Sequence, residues 1–230
     1  MVETATQTER TDEAIKKDIV DHLYWDNRID SSDINVSVDE GDVTLSGTVP
    51  NFSIKQAARD AAYDIDGVGL VFNDIEVDFS ETESIPSDEE IESRVDNSLL
   101  WDDILDSTKI DVDVDNGFVT LQGTVDTTWK KYRAENKVEQ LDGVIDITNE
   151  LTVVPTGDFL DENIAKDLVE SLERNIHTDA DAINIKVEDG EVTLSGTVNS
   201  WKSKHEAFDA ALRTAGVTTV ENNLVVDTAI

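Results

Sequence analysis

The sequence predicts an α+β protein of three tandem α-β-β-α-β modules, each a small mixed sheet with two helices packed on one face. Three observations carry this prediction. A nine-residue stretch recurs as Gly41-Asp-Val-Thr-Leu-Ser-Gly-Thr-Val49, Gly117-Phe-Val-Thr-Leu-Gln-Gly-Thr-Val125 and Gly190-Glu-Val-Thr-Leu-Ser-Gly-Thr-Val198, at offsets of 76 and 73 residues. The flanks align without a gap, since Ile34, Ile110 and Ile183 each precede the first motif glycine by 7 residues, and Gly67, Gly143 and Gly216 follow the second by 20. Within each copy, helical and strand hydrophobic periods then alternate in one order. The modules span 12–79, 87–154 and 160–228, behind a disordered tail over 1–11.

The first helix of each copy is read from an i, i+4, i+8 stripe: Ile15, Ile19, Leu23; Ile91, Val95, Leu99; Ile164, Leu168, Leu172. Asp12, Ser87 and Asp161 stand where N-caps belong. Strict alternation in Ile34–Val38, Ile110–Val114 and Ile183–Val187 gives a strand with one apolar face. Glu40-Gly41, Asn116-Gly117 and Asp189-Gly190 supply the positive-φ pair of a two-residue hairpin turn. The motif is the return strand, with Val43, Leu45 and Val49 inward and Thr44, Ser46 and Thr48 outward. Small residues at Ala58 and Ala62, Ala134 and Val138, Ala207 and Ala211 let a second helix lie close to the sheet. Gly67, Gly143 and Gly216 are expected to end that helix as C′ glycines. A last strand follows through Asn73, Asn149 and Asn222, and the crossover makes its pairing parallel. The linkers Ser80–Pro86 and Val154–Asp158 are short and contain proline, which restricts module geometry but leaves a triangle and a string both open.

Composition narrows the setting. Fifty-two acidic against 18 basic residues leave a formal net charge of -34. Such self-repulsion is tolerable where molar salt shrinks the Debye length to about 3 Å, so a halophilic, salt-rich cytoplasm is expected. There is no cysteine, which excludes thiol chemistry. The first ten residues lack the basic and apolar regions of a leader, and no window approaches a membrane span.

At Gly41, Gly47, Gly67 and Asn73, at Gly117, Gly123, Gly143 and Asn149, and at Gly190, Gly196, Gly216 and Asn222, the chain resembles the BON family, named for bacterial osmoprotection and nodulation. The resemblance covers 12–78, 88–154 and 161–227. It implies a non-enzymatic binding module. Members include osmotic-stress periplasmic proteins, outer-membrane-associated lipid-binding proteins and a cytoplasmic potassium-binding protein.

Few residues offer chemistry. Asp111, Asp113 and Asp115 mimic the start of a calcium loop, but glycine falls at its seventh position rather than its sixth, and Gln122 occupies the twelfth, where a bidentate carboxylate belongs. Their period of two suits a solvated strand face. His22, His177 and His205 occupy non-equivalent positions, and Ser46 and Ser195 lie outside any nucleophile elbow. Asn73, Asn149 and Asn222 sit at apolar parity and need partners, either in a neighbouring loop or in a cation held by their carbonyls. Trp25 and Trp101 are assigned to core or inter-module packing, as is Trp201. Nine of the 18 basic residues fall on the three second helices, where they either offset neighbouring acids or form a docking face. That face would comprise Trp129, Lys130, Lys131, Tyr132 and Arg133, with Phe118 nearby. The expected function is therefore cation binding, potassium above all, in a stress-associated protein that needs no cofactor and binds no nucleic acid. The alternative is an adaptor docking phospholipid or protein through the second helix of the second module.

Overall fold

The computed structural model describes residues 10–79, 85–175 and 178–226. The first module runs α1 (Asp12–Trp25), β1 (Ile34–Asp39), β2 (Asp42–Val49), α2 (Phe52–Tyr63) and β3 (Val71–Val77). The second repeats it as α3 (Asp88–Leu100), β4 (Ile110–Asp115), β5 (Phe118–Val125), α4 (Thr128–Val138) and an interrupted last strand, β6 (Asp146–Asn149) with β7 (Thr152–Val153). The third is α5 (Asp161–Glu173), β8 (Ile183–Glu188), β9 (Glu191–Val198), α6 (Trp201–Arg213) and β10 (Thr219–Val226). In each, the motif strand is central, antiparallel to the strand before it and parallel to the one after. The tail expected over 1–11 lies outside the described residues except at its end. There Thr11 caps α1 and Arg10 donates to the Asp66 carbonyl, so both belong to the first module.

Each module has its own core. The three first-helix stripes are 0–2% exposed, and the six small second-helix positions are fully buried. Val43, Leu45 and Val49 with their equivalents complete the inner sheet face.

Two expectations about helix ends change. Ser87 caps α3 in a full capping box, but Asp12 and Asp161 are first helical residues, and Thr11 and Leu160 hold the cap positions. The aspartates are used elsewhere. Asp12, Asp88 and Asp161 each accept two backbone N–H bonds from the hairpin turn: Glu40 and Gly41 at 3.1 and 2.9 Å, Asn116 and Gly117 at 2.9 Å each, Asp189 and Gly190 at 2.9 Å each. A carboxylate thus holds the first helix to the hairpin in every copy. Nor are Gly67, Gly143 and Gly216 C′ residues: α2, α4 and α6 are capped earlier, at Asp64, Glu139 and Thr214, and a further turn intervenes. Their positive φ remains necessary, and the first helix packs against them, with Ile15, Ile91 and Ile164 within 3.1 Å of where a Cβ would lie.

The second motif glycine answers a different need. At Gly47, Gly123 and Gly196 φ is +122°, +117° and +131°, and a Cβ would stand 1.9–2.2 Å from the carbonyl oxygen of Asp33, Lys109 or Ala182. The chain entering the first strand crosses the return strand there at backbone contact.

The three modules close into a ring through one repeated position. Phe52, Thr128 and Trp201, each five residues beyond the second motif glycine, open α2, α4 and α6. Phe52 is buried in the core cluster of the second module. Thr128 Oγ1 donates to the Val217 carbonyl of the third module. Trp201 Nε1 donates to the Val68 carbonyl of the first, and its indole lies 4.4 Å from the Tyr63 ring. Val68 and Val217 are equivalent, each following its loop glycine. Edge-to-face packing of Tyr132 on Phe208 adds to the seam between the second and third modules.

Gly123→Ala should unfold the second module selectively, because both φ and space oppose a side chain. A loss on the order of 3 kcal/mol is expected in urea titration, with the other two transitions retained.

Candidate docking surface

The basic face proposed on α4 is engaged within the molecule. Arg133 Nε donates to both oxygens of Asp102 at 3.0 and 2.9 Å, and Lys137 Nζ lies 3.2 Å from the same carboxylate. The Asp102 side chain is 1% exposed, and the Ile104 N–H supplies a further bond at 3.1 Å. Arg133 also covers Trp129, with its guanidinium carbon 5.1 Å from the ring centroid. Lys130 pairs with Asp126, and Tyr132 faces Phe208. Lys131 lends its carbonyl to Asn149. Trp129 to Arg133 are all half-buried, whereas Phe118 is 52% exposed on the outer sheet face.

This arrangement explains why Arg133 stands where it does. The chain leaving α3 turns at Asp102, and Arg133 ties that turn to the second helix. The equivalent tie in the third module joins Asn175 to Glu206 at 2.9 Å. In the first module alanines occupy the Arg133 and Lys137 positions, and Asp26 pairs locally with Arg28 instead. The Arg133 guanidinium beside Asp102 holds its carboxyl at about 2, well below the usual range, against the opposing effect of burial.

The asparagines have structural partners. Asn73 Nδ2 donates to the Lys55 carbonyl at 2.8 Å and Asn149 Nδ2 to that of Lys131 at 3.0 Å, tying the last strand to the first turn of the second helix. The Oδ1 of Asn73, Asn149 and Asn222 accepts the N–H two residues on. Asp111, Asp113 and Asp115 are exposed on the outer face of β4. Among the described residues no group of three or more His, Cys, Asp or Glu side chains could hold a metal ion. His22 is exposed and His205 lies 3.8 Å from Asp209 on α6, while His177 falls outside the described residues.

The unengaged aromatic surface lies elsewhere. Trp25 and Trp101, assigned above to packing, are 77% and 82% exposed. Periodicity gives the reason: each stands two residues beyond the last buried leucine of its helix stripe, about 200° around the helix. Tyr24 is 70% exposed and stacks edge-on against Trp25 at 5.2 Å. Leu100 and Ile104, 64% and 42% exposed, flank Trp101. The third equivalent position is Arg174, also exposed. The three helix tips are thus equivalent positions of the repeat. Among the described residues no helix is long and apolar enough to cross a membrane.

Asp102→Asn should lower stability by about 2 kcal/mol at pH 7. A depressed carboxylate stabilises above its unfolded value near 4 and loses that contribution as pH falls through its folded value near 2. The difference between Asp102→Asn and the parent protein, followed by urea titration, should therefore vanish between about pH 4 and pH 2.

Comparison with known proteins agrees with this architecture. The sequence profile described as "BON domain" matches residues 11–78, 87–155 and 160–228. Osmotically-inducible protein Y of Escherichia coli (strain K12) is 35% identical over 140 residues, which is 60% of this chain and 68% of that protein. Two solved structures of CdsD, a structural protein of the type III secretion system of Chlamydia trachomatis, are 14% identical over 92% of this chain and 91% and 96% of theirs. Their TM-score of 0.26 is too low to bear on fold or function. With the profile matched three times along nearly its whole length, on modules of the same order and core, the chain belongs to the BON domain family.

Proposed function

We propose that this protein is a non-enzymatic, osmotic-stress-associated adaptor of a salt-rich cytoplasm that docks on a lipid–water interface through the tips of α1 and α3. One observation carries the reading: Trp25 and Trp101 occupy equivalent positions of the repeat and are 77% and 82% exposed. Tryptophan and tyrosine combine a large apolar body with a polar handle, which suits the boundary between headgroups and acyl chains. Two such anchors in one chain strengthen attachment to a surface through high effective concentration. With a net charge of -34 the chain gains nothing from an anionic bilayer, so the favourable term is burial of apolar area at a zwitterionic interface. Molar salt screens the remaining repulsion. The name of the Escherichia coli relative supports the stress association.

The test is flotation with phosphatidylcholine vesicles in about 2 M KCl, where the Debye length is a few ångströms or less. The double variant Trp25→Ala/Trp101→Ala should bind at least about tenfold more weakly than the parent, as expected when anchors worth 1.5–3 kcal/mol each are removed. Phe118→Ala should bind as the parent does. If the tip variant binds normally, or Phe118→Ala alone abolishes binding, the tips are not the docking surface. A response in KCl that equimolar NaCl does not reproduce would favour potassium binding instead.

A further inference from the structure

We infer that the ring is gated by salt: as screening falls it opens at the seam between the third and first modules, while each module stays folded. The charge distribution drives this. Residues 12–79 carry 16 acidic and 5 basic side chains, 87–154 carry 17 and 6, and 160–228 carry 14 and 6, so all three modules repel one another. Modules of this size in contact have centres on the order of 25 Å apart. That is between two and three Debye lengths at 0.1 M salt and about eight at 1 M.

Across the seam between the first and second modules Arg59 attracts the half-buried Glu139, and Asp60 beside it repels the same carboxylate. Every ion pair between described residues joins side chains of a single module. What else crosses the seams is apolar burial, aromatic packing and neutral hydrogen bonds. At the seam between the third and first modules, added salt therefore weakens repulsion without weakening an ion pair.

The seams differ in one respect. The first and second modules, and the second and third, are joined by short proline-containing linkers, so their partners stay at high effective concentration. The third and first modules are joined only through the rest of the chain. Their seam is held by Trp201, which rests on the first module's core, stacks on Tyr63 and donates to the Val68 carbonyl. Its loss leaves three intact cores, because each cluster otherwise draws its buried residues from within its module, Phe52 aside. Opening thus parts the third module from the first without exposing a module's own core.

The experiment uses the full chain from 3 M to 0.05 M KCl, read by small-angle scattering, far-ultraviolet circular dichroism and the emission of a Trp25→Phe/Trp101→Phe/Trp129→Phe variant that reports Trp201 alone. At high salt the radius of gyration should lie near about 17 Å, as for a compact chain of 230 residues. Lowering the salt should raise it by several ångströms and red-shift Trp201 while circular dichroism holds. Trp201→Ala should give the expanded radius already at 3 M KCl with an unchanged dichroism spectrum. Sucrose at matched osmolality should not close the opened ring. A radius and emission independent of salt, expansion only together with loss of dichroism, a compact Trp201→Ala variant, or closure by sucrose would each overturn the inference.

Discussion

No side chain fits where the chain enters the first strand of each module. The carbonyl of Asp33, Lys109 or Ala182 lies about 2 Å from where a Cβ on Gly47, Gly123 or Gly196 would stand. That crossing sets the register of the hairpin, which presents Val36, Val43 and Leu45 or their equivalents on one face, and both helices pack on that face. The hairpin turn is then fixed from two sides. A helix-borne aspartate holds its N–H groups, and Gly69, Ile145 or Thr218 donates to the carbonyl of Gly41, Gly117 or Gly190 at 2.7–2.9 Å. The motif glycines are thus a folding device. Three modules sharing it build their cores from equivalent positions.

The modules diverge where they meet. One position supplies every seam, and it is phenylalanine, threonine and tryptophan in turn. A head-to-tail contact of this kind closes only when the rotation between neighbours fits the number of copies, and here three copies suffice. The ring buries the start of α2, α4 and α6 and leaves the ends of the first helices outward. The second helices are committed to holding the molecule together.

Scarce positive charge follows the same logic. Arg133 and Lys137 neutralise Asp102, whose side chain is almost fully buried, and Lys130 pairs with Asp126. Removing one partner from so buried a site would strand a charge, so these cations serve the fold. Most of the other acids face solvent, and on this molecule solvated charge makes the arrangement of modules responsive to ionic strength.

By itself the sequence determined the number of modules, the order and faces of their elements and the residues of each core, because hydrophobic period reports which way a residue points relative to its own element. The outward position of Trp25 and Trp101 was also legible there, in their spacing from Leu23 and Leu99, although tryptophan's bulk suggests burial. The tertiary structure alone decided that the modules close into a ring, that Asp12 and Asp161 hold a hairpin instead of capping a helix, and that Arg133 is spent on Asp102. The physical reason is distance along the chain. Trp201 meets the Val68 carbonyl across 133 residues, and no local pattern encodes a contact whose two halves belong to separately folded units.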